Sequence, residues 1–384
     1  MIKSFAPLKG LKVVELGTYV AAPSLGFMLS LLGAEVIKVE PVGGDITREV
    51  TPWSWLNYNS SKESLCLDLK SRQGVDVFKR LAKSVDVVVD GLGPGVTDRL
   101  GVGFMKLSRL NTGLIYCSIK GFSSKGPDAK RAAFDSIAQA EAGLMYVTMS
   151  GGESRPTRVG NPCVDLSAAA FGVIGILSAL LDGKKHASYI EVPLFDFVAF
   201  WNSYWLPYIQ ISGKQPSNLG TEHPGYSPYG VYRCSDGFVF IGVLNDKHWE
   251  RLVERLGLQK ELSPKTKTHE RIAARSTIDS IIERAVERIP RRSVIAALGD
   301  AVPCAEVRDL ESLLQSEELK GNERFVNVMS DGAGKVNVFL PPIGVTASKN
   351  MRVPRQGEHT EKILKRLGYS GKDIHIMLEN RVVS

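Results

Sequence analysis

The strongest constraint on the fold is a long apolar run in the middle of the chain, residues 166–181, LSAAAFGVIGILSALL. As a helix it makes about four turns, and it is too apolar all round to show one face to water. Two environments suit such a helix, a bilayer or the core of a layered protein. Asp165 at its start and the lack of a second span to partner it favour the core. Pro162 breaks the chain before the run, and Asp182-Gly183-Lys184-Lys185 ends it, with glycine past the last turn and cations for the carbonyl dipole. Asp165 therefore falls at the N-cap or in the first turn. The plain reading is a capping aspartate. The sharper one is a carboxylate aimed from a helix end into a cleft, oriented as a nucleophile must be. The two readings are compatible.

Bulk properties narrow the class. The chain has 384 residues, more than one core usually supports, so two domains or a domain with an insertion are expected. The net charge of +7 is spread thinly, with no basic run longer than Lys184-Lys185 or Arg291-Arg292, so no nucleic-acid stripe is evident. A mild positive excess also suits an anionic small molecule. The five cysteines, 66, 117, 163, 234 and 304, are odd in number, far apart and free of any C-x-x-C pair. That pattern points to reduced thiols and away from a disulfide framework or a zinc site. The first residues, MIKSFAPLKGLKVVELG, hold no apolar signal core, so a soluble cytoplasmic protein is expected, bound neither to membrane nor to nucleic acid.

Along the chain, residues 12–16 read as a strand, 24–32 as a helix closed by Gly33, and 35–40 as a second strand. This β-α-β unit of about 30 residues is the building block of a parallel sheet. Further strands are expected at 65–69, 85–90 and 114–119, with a helix at 74–84. Residues 1–200 thus form the first part of a large α/β domain. A smaller α+β domain is expected over 225–325, with strands at 226–232 and 238–243, helices at 247–256 and 277–288, and a further stretch at 303–307. Residues 330–384 return to the large domain through a segment at 335–339 and a helix at 360–367.

Several familiar motifs are excluded. DGLGPGV at 90–96 follows a strand but fails the G-x-G-x-x-G spacing, with Val96 at the sixth position and Pro94 where the helix should open. Its glycines suit a tight turn that lets backbone approach a ligand. No P-loop and no G-x-S-x-G elbow occurs, and the six histidines are not at metal-ligand spacing, so no metal is expected.

Taken in order, a set of stretches resembles the class III coenzyme A transferases, the family of formyl-CoA and carnitine-CoA transferases and α-methylacyl-CoA racemases. They are LKGLKVVE at 8–15, LGAEVIKVEP at 32–41, Gly44-Asp45, LDLK at 67–70, the GPG turn at 93–95 leading to RLG at 99–101, and FDSIAQ at 134–139. RVGNPCVD at 158–165, PYG at 228–230, VPC at 302–304 and GEHT at 357–360 complete it. The resemblance implies a Rossmann-like open parallel sheet plus a small α+β domain, in two ring-shaped subunits interlocked as a homodimer. It implies coenzyme A or an acyl-CoA as substrate beside a small carboxylic acid, with Asp165 as the catalytic carboxylate. By position it implies Val20, Ala21, Leu69, Lys70, Gly91, Leu92, Arg99, Leu100, Phe134 and Asp135 around the CoA, with Arg99 suited to a phosphate. The activity implied is transfer of CoA to a free acid through an aspartyl mixed anhydride and an aspartyl-CoA thioester. The racemase branch carries a histidine where this chain has Phe134, which accepts no proton, so transferase is preferred. A CoA-binding protein without turnover is the third reading. The segment 220–226 lacks the run of glycines that forms the lid in formyl-CoA relatives. Trp53, Trp55, Trp201, Trp205, Tyr226 and Tyr229 are candidates for an acyl pocket, a core or an interface.

Overall fold

A computed structural model describes residues 5–149, 155–183, 186–216, 219–343 and 351–384. Lys184-Lys185, expected to meet the helix dipole, lie outside these. The chain divides into two units, Met1–Ala142 with Gly160–Ser203 and Gly321–Ser384, and Gly143–Val159 with Tyr204–Lys320.

The first unit is built on a six-stranded parallel sheet. Strand β1 (Lys12–Leu16) leads through helix α1 (Ala21–Leu31) to β2 (Glu35–Glu40). Helix α2 (Pro52–Asn59) precedes β3 (Glu63–Cys66), and α3 (Arg72–Ala82) precedes β4 (Val87–Asp90). A single turn, α4 (Val96–Arg99), is followed by β5 (Ile115–Lys120), and α5 (Asp135–Glu141) and α6 (Cys163–Asp182) by β6 (Ser188–Pro193) and α7 (Leu194–Asn202). The strand order is β3-β2-β1-β4-β5-β6. The chain works outward from β1, then returns to place β4 on its other side, so the order reverses between β1 and β4. In open α/β sheets, ligands bind at the carboxyl ends of the strands flanking such a reversal. Parallel strands covered on both faces are mostly apolar; Val13, Val14, Val87, Val88 and Val89 are fully buried.

On one face, Val77, Phe78 and Leu81 of α3 share a core with Ile363, Leu364, Ile374 and Met377 from the last two helices, Thr360–Arg366 and Gly371–Glu379. On the other, α6 lies against α1 and β5–β6. Glycine makes this approach possible. A Cβ on Gly172 would sit 2.4 Å from Leu25 Cδ1, and one on Gly175 would sit 2.8 Å from Ile190 Cγ2. Gly172→Val should therefore destabilise the unit by about 1–3 kcal/mol in chemical denaturation, despite replacing a poor helix former. Helix α6 ends at Gly183 in the left-handed region (φ 64°), as its sequence predicts. It is not buried all round, however: Val164, Ala168, Ala169, Val173 and Ile176 are covered, while Phe171, Ile174 and Leu181 are exposed.

Two expectations shift locally. Strand β3 stops at Cys66 because the chain then turns to pair with the C-terminal segment, Leu67 bridging Val383 and the Asp68 amide donating to Val382 O. Strand β6, at the sheet edge, is not among the expected strands, although its Tyr189, Ile190 and Val192 favour the extended form. Trp55 is core, packed with Phe27 and the strands Phe325–Ser330 and Gly334–Phe339, whereas Trp53 is exposed.

The second unit holds the antiparallel sheet Tyr229–Cys234, Gly237–Gly242 and Cys304–Val307. Helices Asp246–Arg255, Arg275–Val286 and Arg291–Leu298 cover it around Trp249, Ile278 and Ile282. Within it, Trp205, Tyr226 and Tyr229 gather around His223, and Arg275 donates to the carbonyls of His223 and Tyr226, 2.6 Å each.

Candidate active site

The reversal between β1 and β4 creates a cavity from two backbone turns. The first, Gly17 to Val20, joins β1 to α1; the second, Gly91 to Gly95, joins β4 to α4. A Cβ on Gly17 would lie 2.5 Å, and one on Gly91 2.6 Å, from the Cβ of Ala22, so the two strands can meet only through glycine. The second turn is locked by Asp90, which is buried. Its Oδ1 accepts from the Leu92 amide (3.0 Å), and its Oδ2 accepts from Thr97 Oγ1 (3.1 Å) and Tyr116 Oη (2.9 Å) and pairs with Lys120 Nζ (2.8 Å). Lys120 also donates to Leu92 O at 2.7 Å.

These turns wall a cavity of about 250 Å³ that includes Val20, Ala21, Gly91, Leu92, Phe134 and Asp165 in its lining. A larger cleft of about 470 Å³ runs beside it over the ends of β1–β3, lined by Leu69, Lys70, Leu92 and Leu100 among others. Thr18 and Leu92 border both. An extended ligand laid across the two would reach Asp165 with one end. Two expected residues stand apart. Arg99 borders neither space; it is exposed, with its guanidinium 3.4 Å from Pro94 O. Asp135 borders neither as well, because it is turned beneath α6.

That placement decides what Asp165 is. The N-cap position of α6 is Pro162, which offers no side-chain acceptor, and Asp165 sits one turn in without capping anything. The cap comes from Asp135, whose Oδ2 accepts from the amides of Val164 (2.9 Å) and Asp165 (3.4 Å), while Gln139 Nε2 donates to its Oδ1 at 2.6 Å. Asp165 is thereby released from the capping role and its carboxyl faces the cavity. Burial, and then the neighbouring Asp135 carboxylate, push that carboxyl up to about 7. Tyr58 of α2, which sequence reasoning missed, lies close enough that Asp165's charge adds to the burial that raises its phenol. Thr18 and Lys120 were missed too; a turn threonine and a strand-end lysine give no signal apart from the fold. All these groups belong to the first unit.

The arrangement is a half-buried carboxylate in a cavity at a sheet crevice, beside two glycine-containing turns, with a larger cleft next to it. A succinate–glutarate CoA-transferase of Agrobacterium fabrum is 30% identical, with 94% of this chain and 96% of that protein covered. Succinyl-CoA:glutarate CoA-transferase of Homo sapiens is 29% identical over 100% of this chain and 91% of its own length. A solved CaiB/BaiF family protein from Brucella suis superposes with a TM-score of 0.82 at 28% identity, covering 94% of this chain and 99% of that one. The family model of CoA-transferase family III matches residues 8–360. With nearly the whole chain accounted for in this way, the protein is an enzyme of CoA-transferase family III.

Proposed function

We propose that this enzyme moves CoA from an acyl-CoA thioester to a free carboxylic acid, with Asp165 as covalent carrier. The observation that carries the reading is that the cap of α6 is supplied by Asp135, which leaves Asp165 facing the cavity. The ionised Asp165 carboxylate attacks the thioester carbonyl; the C–S bond breaks, CoA leaves as thiolate and an aspartyl mixed anhydride forms. The thiolate then attacks the aspartyl carbonyl and expels the donor acid, leaving an aspartyl-CoA thioester. The acceptor carboxylate attacks that thioester, giving a second anhydride and thiolate. Attack of the thiolate on the acceptor's acyl carbon forms the new acyl-CoA and restores Asp165. Each tetrahedral step develops an oxyanion, and amides of the Gly17–Val20 turn and that of Gly93 are the donors at hand, those of Gly91 and Leu92 being bonded to Leu16 O and Asp90 Oδ1. The cleft over Leu69 and Lys70 takes the rest of the CoA. Arg99, exposed at its turn, remains free to swing toward a phosphate.

The names of the relatives favour succinyl-CoA as donor and a dicarboxylate as acceptor. The exposed apolar face of α6, with Phe171 and Ile174, continues to Phe200 of α7 around a hollow of about 250 Å³ that also takes in Ile190 and Phe197. Such a patch calls for a partner, and a second copy in a homodimer supplies one. The free cysteines fit a cytoplasmic enzyme.

Mass spectrometry after incubation with succinyl-CoA and hydroxylamine trapping tests the route. A modification on Asp165 that is lost in Asp165→Ala is the expected result. An unmodified Asp165, with α-protons of a 2-methylacyl-CoA exchanging in deuterated water, would give the racemase reading instead.

A further inference from the structure

Beneath the first turn of the cavity lies a set of charges that the chemistry above does not use. Glu15 on β1 and Lys38 on β2 are fully buried, and Lys62, just before β3, is 4% exposed. Glu15 Oε1 meets Lys38 Nζ at 3.0 Å and Glu15 Oε2 meets Lys62 Nζ at 2.6 Å. Lys38 also lies 3.0 Å from Asp45 Oδ2, and Lys62 donates to Asn59 Oδ1 at 3.0 Å. Room for this cluster is built in, since a Cβ on Gly26 of α1 would stand 2.2 Å from Glu15 Oε2.

Stability alone does not call for such an arrangement, because a buried ion pair is often matched or bettered by apolar side chains of similar size. What apolar side chains cannot do is donate hydrogen bonds. Lys38 Nζ donates to Gly17 O (2.7 Å) and Lys62 Nζ to Pro23 O (2.8 Å). These two carbonyls bracket Thr18 to Ala22, the segment that walls the Asp165 cavity. Between them Tyr19 holds a φ of 63°, a left-handed conformation unusual for a residue with a side chain, and its carbonyl accepts from Ser54 Oγ at 3.3 Å. Conformations of this kind persist where the surroundings over-determine them.

We infer that Glu15, Lys38 and Lys62 are positioning residues that hold the strained β1–α1 turn in the shape the CoA thioester requires. The inference rests on the CoA-transferase reading. Glu15 orients the two ammonium groups, each ammonium fixes one end of the turn, and Ser54 fixes its middle. None of the three touches the reacting atoms.

The double variant E15Q/K62M tests this, since it removes one charge of each sign and leaves Lys38 beside Asp45. Thermal unfolding reports its fold, calorimetry its affinity for free CoA, and steady-state kinetics its constants for acyl-CoA and acid separately. The expected result is a folded protein whose CoA dissociation constant rises about tenfold and whose kcat/KM for acyl-CoA falls on the order of a hundredfold. KM for the acid should stay unchanged. A folded double variant with CoA affinity and acyl-CoA KM within about twofold of wild type would overturn the inference. Should E15Q/K62M fail to fold, Ser54→Ala decides: CoA affinity weaker by about threefold supports the inference, and unchanged affinity overturns it. A wild-type protein that binds CoA but transfers none would sink the transferase reading and leave the binding comparison intact.

Discussion

Asp165→Asn is expected to abolish CoA transfer and, at pH 8, to make the protein more stable. Loss of a nucleophile costs at least about a thousandfold in kcat. The gain in stability follows from the raised carboxyl. A group whose pKa is higher folded than unfolded adds stability below its unfolded value and loses that contribution as pH climbs through the folded value. For Asp165 the window runs from 3.8 to about 7. Above it, the native protein holds an ionised carboxylate in a poorly solvated place beside Asp135, and asparagine removes that cost. The gain should be roughly 2 kcal/mol at pH 8, after allowance for the solvent that reaches the group, and should vanish near pH 4. Denaturant titrations of both proteins at the two pH values measure it. An equal difference at both would mean that Asp165 is not the strained group. The same shift sets the sign of the pH–rate profile. On the proposed route only the ionised carboxylate attacks, so kcat/KM should rise with pH through about 7 and level off above.

The second large effect concerns Asp135, whose two functions separate by substitution. Asp135→Ala removes the acceptor for the Val164 and Asp165 amides. The loss of a cap costs about 1–2 kcal/mol of stability. The displaced first turn should cost on the order of a hundredfold in kcat/KM. Asp135→Asn keeps an oxygen for the amides and deletes the charge that helps raise Asp165. Its acid limb should move to lower pH with the plateau rate nearly preserved. Identical profiles for Asp135→Asn and wild type would show that burial alone sets the Asp165 carboxyl.

Much of the large unit is legible in the sequence. Strands β1, β2 and β4 are short runs rich in valine bounded by glycine and helices, and the position of Asp165 followed from Pro162 and the run after it. The expected CoA neighbours divide as the sheet dictates, since residues after β1 and β4 converge at the reversal while residues after β3 line the cleft beside it. What escaped was tertiary. A cap usually sits within a few residues of its helix, whereas Asp135 reaches α6 from about thirty positions upstream. The segments 12–16 and 35–40 hold Glu15 and Lys38 in the middle of runs that must be buried, a warning in plain view, but their partner Lys62 carries no pattern at all. Strand β6 carries only the short alternation Ile190-Glu191-Val192 between loops, too brief to stand out.

The closing of β3 by the far end of the chain bears on the order of synthesis. Leu67 and Leu69, in the lining of the larger cleft, lie next to a segment whose other members, Arg381 in the cleft lining and Val383 paired with Leu67, leave the ribosome more than three hundred residues later. The second unit, with its own core and its own sheet, is translated in full before they emerge. Domains fold as units while the chain is being made, so the smaller one can be finished while the cleft still lacks its last wall. If that cleft holds CoA as proposed, substrate binding comes after the smaller unit has folded, and a nascent chain arrested before residue 381 should bind CoA poorly even with Asp165 and its cap already in place.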